Sequence, residues 1–151
     1  MKSTSAILCS VLALAAASAQ ADQLPDPKAG LWEVKIKLTA TGAADLPEAT
    51  TRYCVDDTYG KERNCSQSEV KKTAAGYIED AVCQEDDGAT TTIHEETTGD
   101  LNVAYSRKQQ AHVQGGRSGG ETGWDWTSLE EHKWLAAVCP PEDKAAAGDQ
   151  P

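Results

Sequence analysis

From Leu31 to Thr39 apolar and polar residues alternate, with Trp32, Val34, Ile36 and Leu38 on one face and Glu33, Lys35 and Lys37 on the other. A period of two is that of a β-strand with one buried face. After a turn over Gly42 to Pro47, the β-branched run from Thr50 to Val55 predicts a second strand. Val70 to Gln84 reads as one strand, or a pair kinked at Gly76, in which Ile78, Asp80 and Val82 alternate with Tyr77, Glu79, Ala81 and Cys83. Asp86-Asp87-Gly88 is a turn signal, and Ala89 to Thr98, thick with threonine, favours a strand. Gly99-Asp100 predicts a turn into a strand marked by Leu101, Val103 and Tyr105; Gln109 to Val113 adds a short one, and Gly115 to Gly123 reads as a flexible loop.

In the late segment two readings compete. Ser128 followed three residues later by Glu131 fits a helix cap, whereas Trp134, Ala136 and Val138 fit the inward positions of a strand. The expectation is a short helical turn and then a strand ending at Cys139. Many short strands with almost no helical period define an all-β fold: an antiparallel meander curling into a partial or closed barrel, with at most a short helical turn near the C-terminus. Curling protects the edges that a small sheet otherwise exposes.

The ends read differently. Lys2, the apolar run Ala6 to Ala17 and the small residues Ala19 and Ala21 are the order of a cleavable secretory signal over residues 1–21. The run is shorter than the roughly 20 residues of a membrane span, and no later segment supplies one. Residues 22–29 form an extended lead-in, 30–139 a single domain, and 140–151, opening with Pro140-Pro141, a disordered tail.

Composition sharpens this picture. Loss of Lys2 with the signal leaves 13 basic against 24 acidic residues, a net charge of −11, which disfavours nucleic acid and anionic membranes as partners. Leu, Ile and Val make up only 17 of the 130 remaining residues, below the roughly 20 per cent that, with high net charge, flags disorder, but four Trp and four Tyr in mostly patterned segments point instead to a folded domain with a thin core. Cysteines can supply what such a core lacks. Cys54, Cys65, Cys83 and Cys139 remain once Cys9 is removed, an even number that predicts two disulfides in an oxidising compartment. Three connectivities are open; Cys54 with Cys65, stapling the polar loop Asp56 to Ser68, and Cys83 with Cys139 are preferred. No two cysteines have zinc-site spacing.

Catalytic constellations are lacking. His94, His112 and His132 are scattered, the serines lie in loops or near caps, with the one Gly-x-Ser-x-Gly match, Gly116 to Gly120, inside the glycine-rich loop and not at a strand-to-helix elbow, and the acidic pairs Asp56-Asp57, Asp86-Asp87 and Glu95-Glu96 point to opposite faces of any strand. No catalytic residue, metal site or cofactor is assigned, and the reading leans away from an enzyme. Trp32, Trp124, Trp126 and Trp134 are the candidate ligand-binding residues. In a chain without Phe they either fill the core or line a cavity where an apolar ligand sits.

With Gly30-Leu31-Trp32-Glu33 opening the first strand and four later cysteines, the last at the domain end, Lys28 to Cys139 resembles a bacterial exported family. That family is the domain of unknown function numbered 3617. The resemblance implies a β-rich domain in the periplasm of Gram-negative bacteria and transfers no functional residue. Many members are rich in Met in the later strands, whereas this chain has none after Met1. The leading expectation is a non-enzymatic periplasmic binding or accessory module for a small apolar ligand or a cell-envelope partner. A purely structural or protein-interaction domain is the alternative, and tryptophan burial separates the two.

Overall fold

The computed structural model describes residues 24–44, 46–56, 59 and 64–141. The signal-like segment and all of the tail beyond Pro141 lie outside these residues. Seven strands form one antiparallel sheet: β1 (Gly30–Ala40), β2 (Ala49–Val55), β3 (Cys65–Lys72), β4 (Gly76–Gln84), β5 (Ala89–Asp100), β6 (Ala104–Gly115) and β7 (Gly120–Ala136). Their order is β2-β1-β7-β6-β5-β4-β3. The sheet is therefore a meander from β3 to β7, extended by β1 and β2, and it stays open between β2 and β3. This is the partial form of the expected barrel.

Alternation decides which side chains turn inward. On β5, Thr91, Ile93, Glu95 and Thr97 are buried; on β6, Tyr105, Gln109, Ala111 and Val113; on β7, Ser128, Glu130 and His132. These residues meet across the strands in register, as in the pairs Tyr105 with His132, Arg107 with Glu130, and Gln109 with Ser128. The apolar core divides in two. Trp32, Val34, Tyr53, Val55 and Tyr105 form one cluster, and Ala81, Cys83, Ile93 and Ala111 the other. A band of polar side chains crosses the inner face between them.

Three local expectations are corrected. The helical turn is at Gly116–Gly119, between β6 and β7, and β7 runs unbroken through Ser128. The hydroxyl of Ser128 donates to the Glu130 carboxylate at 2.7 Å, so it caps nothing. The turn placed at Gly99-Asp100 lies instead over 101–103, because β5 continues to Asp100 before β6 begins. Gln109 to Val113 is the middle of β6, not a separate strand.

The disulfides join Cys54 to Cys139 and Cys65 to Cys83, not the preferred pairs. The sheet order gives the reason. Cys54 and Cys65 lie close in sequence but belong to strands at opposite edges, and Cys65 faces Cys83 directly across β3 and β4. Leu31 pairs with Cys54 on one side and with Ala136 on the other, so the chain leaving β7 brings Cys139 to Cys54.

Candidate functional site

Trp32 and Trp134, neighbours across β1 and β7, hold the lead-in segment. The Trp32 indole N–H donates to the Lys28 carbonyl at 2.7 Å and that of Trp134 to the Ala29 carbonyl at 3.2 Å, while Lys28 Nζ stands 3.7 Å from the Trp134 ring centroid. Gly30, with φ 128°, has the Trp134 indole nitrogen and the Ala136 carbonyl where a side chain would be. The Gly-Leu-Trp-Glu opening is thus explained by a close backbone approach and an indole clamp, both structural.

The polar band carries the chemistry. Tyr53 on β2, Tyr105 and Arg107 on β6, and Glu130 and His132 on β7 form one connected network. Tyr53 Oη lies 3.0 Å from Tyr105 Oη and 2.9 Å from His132 Nδ1. His132 Nε2 lies 2.9 Å from Glu130 Oε2, which also accepts from Arg107 Nε at 2.8 Å and Nη2 at 2.6 Å. The imidazole stacks on Tyr105 and meets Tyr53 edge-on. Tyr59, in the segment between the two edge strands, stacks on Tyr53 with ring centroids 5.9 Å apart.

Burial and pairing fix the charges. Burial would raise the Glu130 carboxyl, but its bonds to His132, Arg107 and Ser128 outweigh that and hold it down at about 2. Burial acts against the Arg107 guanidinium, yet Glu130 and Glu95 more than compensate and keep it firmly protonated. Burial dominates at His132 and lowers it, assisted by Arg107 and opposed by Glu130. Burial, reinforced by neighbouring phenols, raises Tyr53 and Tyr105 well above the ordinary phenol range. The Tyr53–His132–Glu130 chain has the connectivity of a nucleophile–base–acid relay, with a phenol that burial keeps neutral at its head.

A cavity of about 220 Å³ opens on this network, lined by Val34, Ile36, Tyr53, Tyr59, Arg107, Glu130 and His132. Val34 and Ile36 give it an apolar wall, and every described buried side-chain polar atom has a partner. A second hollow, of about 360 Å³, is lined among others by Lys35, Lys37, Lys108, Leu129 and Glu131. These belong to the outward-facing rows, where lysines alternate with glutamates across the strands. Charge there is locally balanced.

None of the four candidate tryptophans lines either cavity. Trp32 is fully buried in the first core cluster, and Trp134 packs against it. Trp126 packs against the second cluster, and Trp124 reaches the surface with 36% exposure. His94 and His112 face outward, each with Nδ1 on a carboxylate, Asp80 at 2.7 Å and Asp125 at 2.8 Å. Glu96 stands 3.6 Å from His94 Nε2, but the described residues hold no cluster of three metal-ligating side chains. No described helix is long and apolar enough to cross a membrane.

Tyr53, Tyr59, Arg107, Glu130 and His132 were not legible as a site from sequence. The available signal was the spacing of Trp124, Trp126, Ser128, Glu130, His132 and Trp134, all an even number of residues apart. Had residues 120–136 been read as one strand, Glu130 and His132 would have shared a face with the tryptophans. A family model described as "Protein of unknown function (DUF3617)" matches residues 27–139. No curated protein and no solved structure matches the chain.

Proposed function

The chain belongs to the DUF3617 family of proteins of unknown function, and from that premise we propose that it is an exported, non-enzymatic binding module that holds a small ligand on the inner face of its half-barrel. The observation that carries the reading is the cavity where Val34 and Ile36 face Tyr53, Arg107 and His132. An apolar wall opposite a few fixed polar groups is the usual make-up of a small-molecule site. The paired charges favour a neutral ligand, since an ion would meet Arg107 already engaged by Glu130. Export to the periplasm is supported by the signal-like order of residues 1–21 and by two disulfides, which persist in oxidising compartments.

Native mass spectrometry of the protein isolated from its own source tests this. A mass excess that disappears on denaturation is expected, together with its loss in Val34→Trp, which fills the cavity. A bare mass in the native spray would contradict a retained ligand.

A further inference from the structure

The hydrogens of the inner network can be assigned one by one. Ionised Glu130 can only accept, so Nε2 of His132 carries a hydrogen and donates to Oε2 at 2.9 Å. Burial keeps the imidazole neutral near pH 7, which leaves Nδ1 a bare acceptor. The 2.9 Å bond at Nδ1 is therefore donated by the Tyr53 hydroxyl. Tyr53 then has no hydrogen left, and the 3.0 Å bond between the phenols is donated by Tyr105.

The Tyr105 and Tyr53 hydrogens thus run in sequence towards His132, and the Tyr53 oxygen can offer a ligand only a lone pair. The donors among the cavity groups are the Tyr59 hydroxyl and Arg107, whose Nε and Nη2 bond Glu130. A ligand that bonds Tyr53 must therefore donate, and a hydroxyl is the smallest neutral group that donates there while keeping lone pairs for these donors. The cavity of about 220 Å³ exceeds the roughly 150 Å³ that holds a benzene ring, and Tyr53 and Tyr59 supply aromatic surface. Resting on the binding reading above, we infer that the site selects small neutral aromatic molecules bearing a hydroxyl, that is, phenols, and that Tyr53, oriented by His132, sets this preference.

Calorimetric titration of the folded protein with phenol and with anisole tests the inference. Anisole keeps the ring and the acceptor oxygen, adds apolar surface and lacks only the donor. Phenol is expected to bind at least about five-fold tighter, the worth of one net hydrogen bond. Anisole binding as tightly or tighter would overturn the donor preference and leave the cavity reading standing; neither ring binding at millimolar concentration would overturn both. In Tyr53→Phe the two ligands should bind alike. A preference that survives this substitution would contradict the role given to Tyr53.

Discussion

The imidazole of His132 lies flat on the phenol ring of Tyr105, with ring centroids 4.2 Å apart and planes 6° from parallel. Stacking fixes the ring plane, and the bonds to Tyr53 and Glu130 fix its rotation. One tautomer results. The inner face thereby holds a polar group in a single donor–acceptor state between two apolar clusters, which is the preorganisation that a binding site needs.

Removing one link should be felt in stability. Tyr53→Phe leaves His132 Nδ1 without its donor and Tyr105 without its acceptor, and a cost of about 1–3 kcal/mol is expected. Urea unfolding should show a lower midpoint with an unchanged slope. A midpoint equal to wild type would mean that water replaces the hydroxyl at no cost.

The ion pair makes a stronger demand. Glu130→Gln takes from the Arg107 guanidinium, whose side chain is only 23% exposed, the carboxylate it is hydrogen-bonded to and leaves only Glu95 opposing its charge, which should cost up to about 3–5 kcal/mol. The double variant Arg107→Met with Glu130→Leu should recover only part of that loss, because it removes the uncompensated cation but also takes the guanidinium from beside buried Glu95. A double variant as unstable as the single one would show that the pair is needed for packing as well as for charge.

How far the sequence reveals this arrangement depends on the element. β1 is plain because its inward residues are apolar and its outward residues charged. β7 is obscured because Leu129 and Leu135 fall on the opposite alternation from buried Glu130 and His132, the reverse of the usual pattern. The disulfide pairing is hidden for a topological reason: the segment between β2 and β3 joins the two edges of the sheet, so Cys54 and Cys65 are close in sequence yet bonded to different partners. The four tryptophans are the largest apolar side chains in the chain, yet the cavity is lined by smaller apolar and polar groups.

Acid should unfold the protein in two stages. The folded state lowers His132, so its contribution is complete above the unfolded value of 6.5 and is lost as pH falls below it. Glu130 is lowered from 4.5 to about 2, and its contribution is lost between those values. His94, raised chiefly by its bond to Asp80, works in the opposite sense but is 41% exposed. Unfolding free energy measured from pH 8 to pH 3 should therefore decline in both windows, and His94→Ala should leave both steps in place. A curve flat between pH 7 and pH 5 would contradict a buried neutral His132.

The two disulfides should differ in weight. Cys54–Cys139 spans 85 residues and Cys65–Cys83 spans 18. Restricting the unfolded chain over those lengths gives about 4.5 and about 3 kcal/mol respectively. Replacing Cys54 and Cys139 by Ala should lower the melting temperature more than replacing Cys65 and Cys83, and the reverse order would contradict a stabilisation dominated by chain entropy.

Gly30→Ala should be among the most damaging single changes outside the network. The added methyl meets the Ala136 carbonyl and the Trp134 indole nitrogen at a backbone φ of 128°, and a loss of about 2 kcal/mol or more is expected from combined clash and strain. Gly42→Ala, also at positive φ (79°) but with open space around it, should cost about 1 kcal/mol. Equal losses for the two would mean that backbone strain alone matters at Gly30.

The most direct test of the account is an NMR titration of the folded protein with phenol, following the methyl groups of Val34 and Ile36 and the imidazole of His132. The account predicts shifts that saturate together at these three residues, with the Trp124 and Trp126 indole signals unmoved. Shifts centred on Trp124 and Trp126, or no saturable shift at His132, would contradict a ligand site on the inner face.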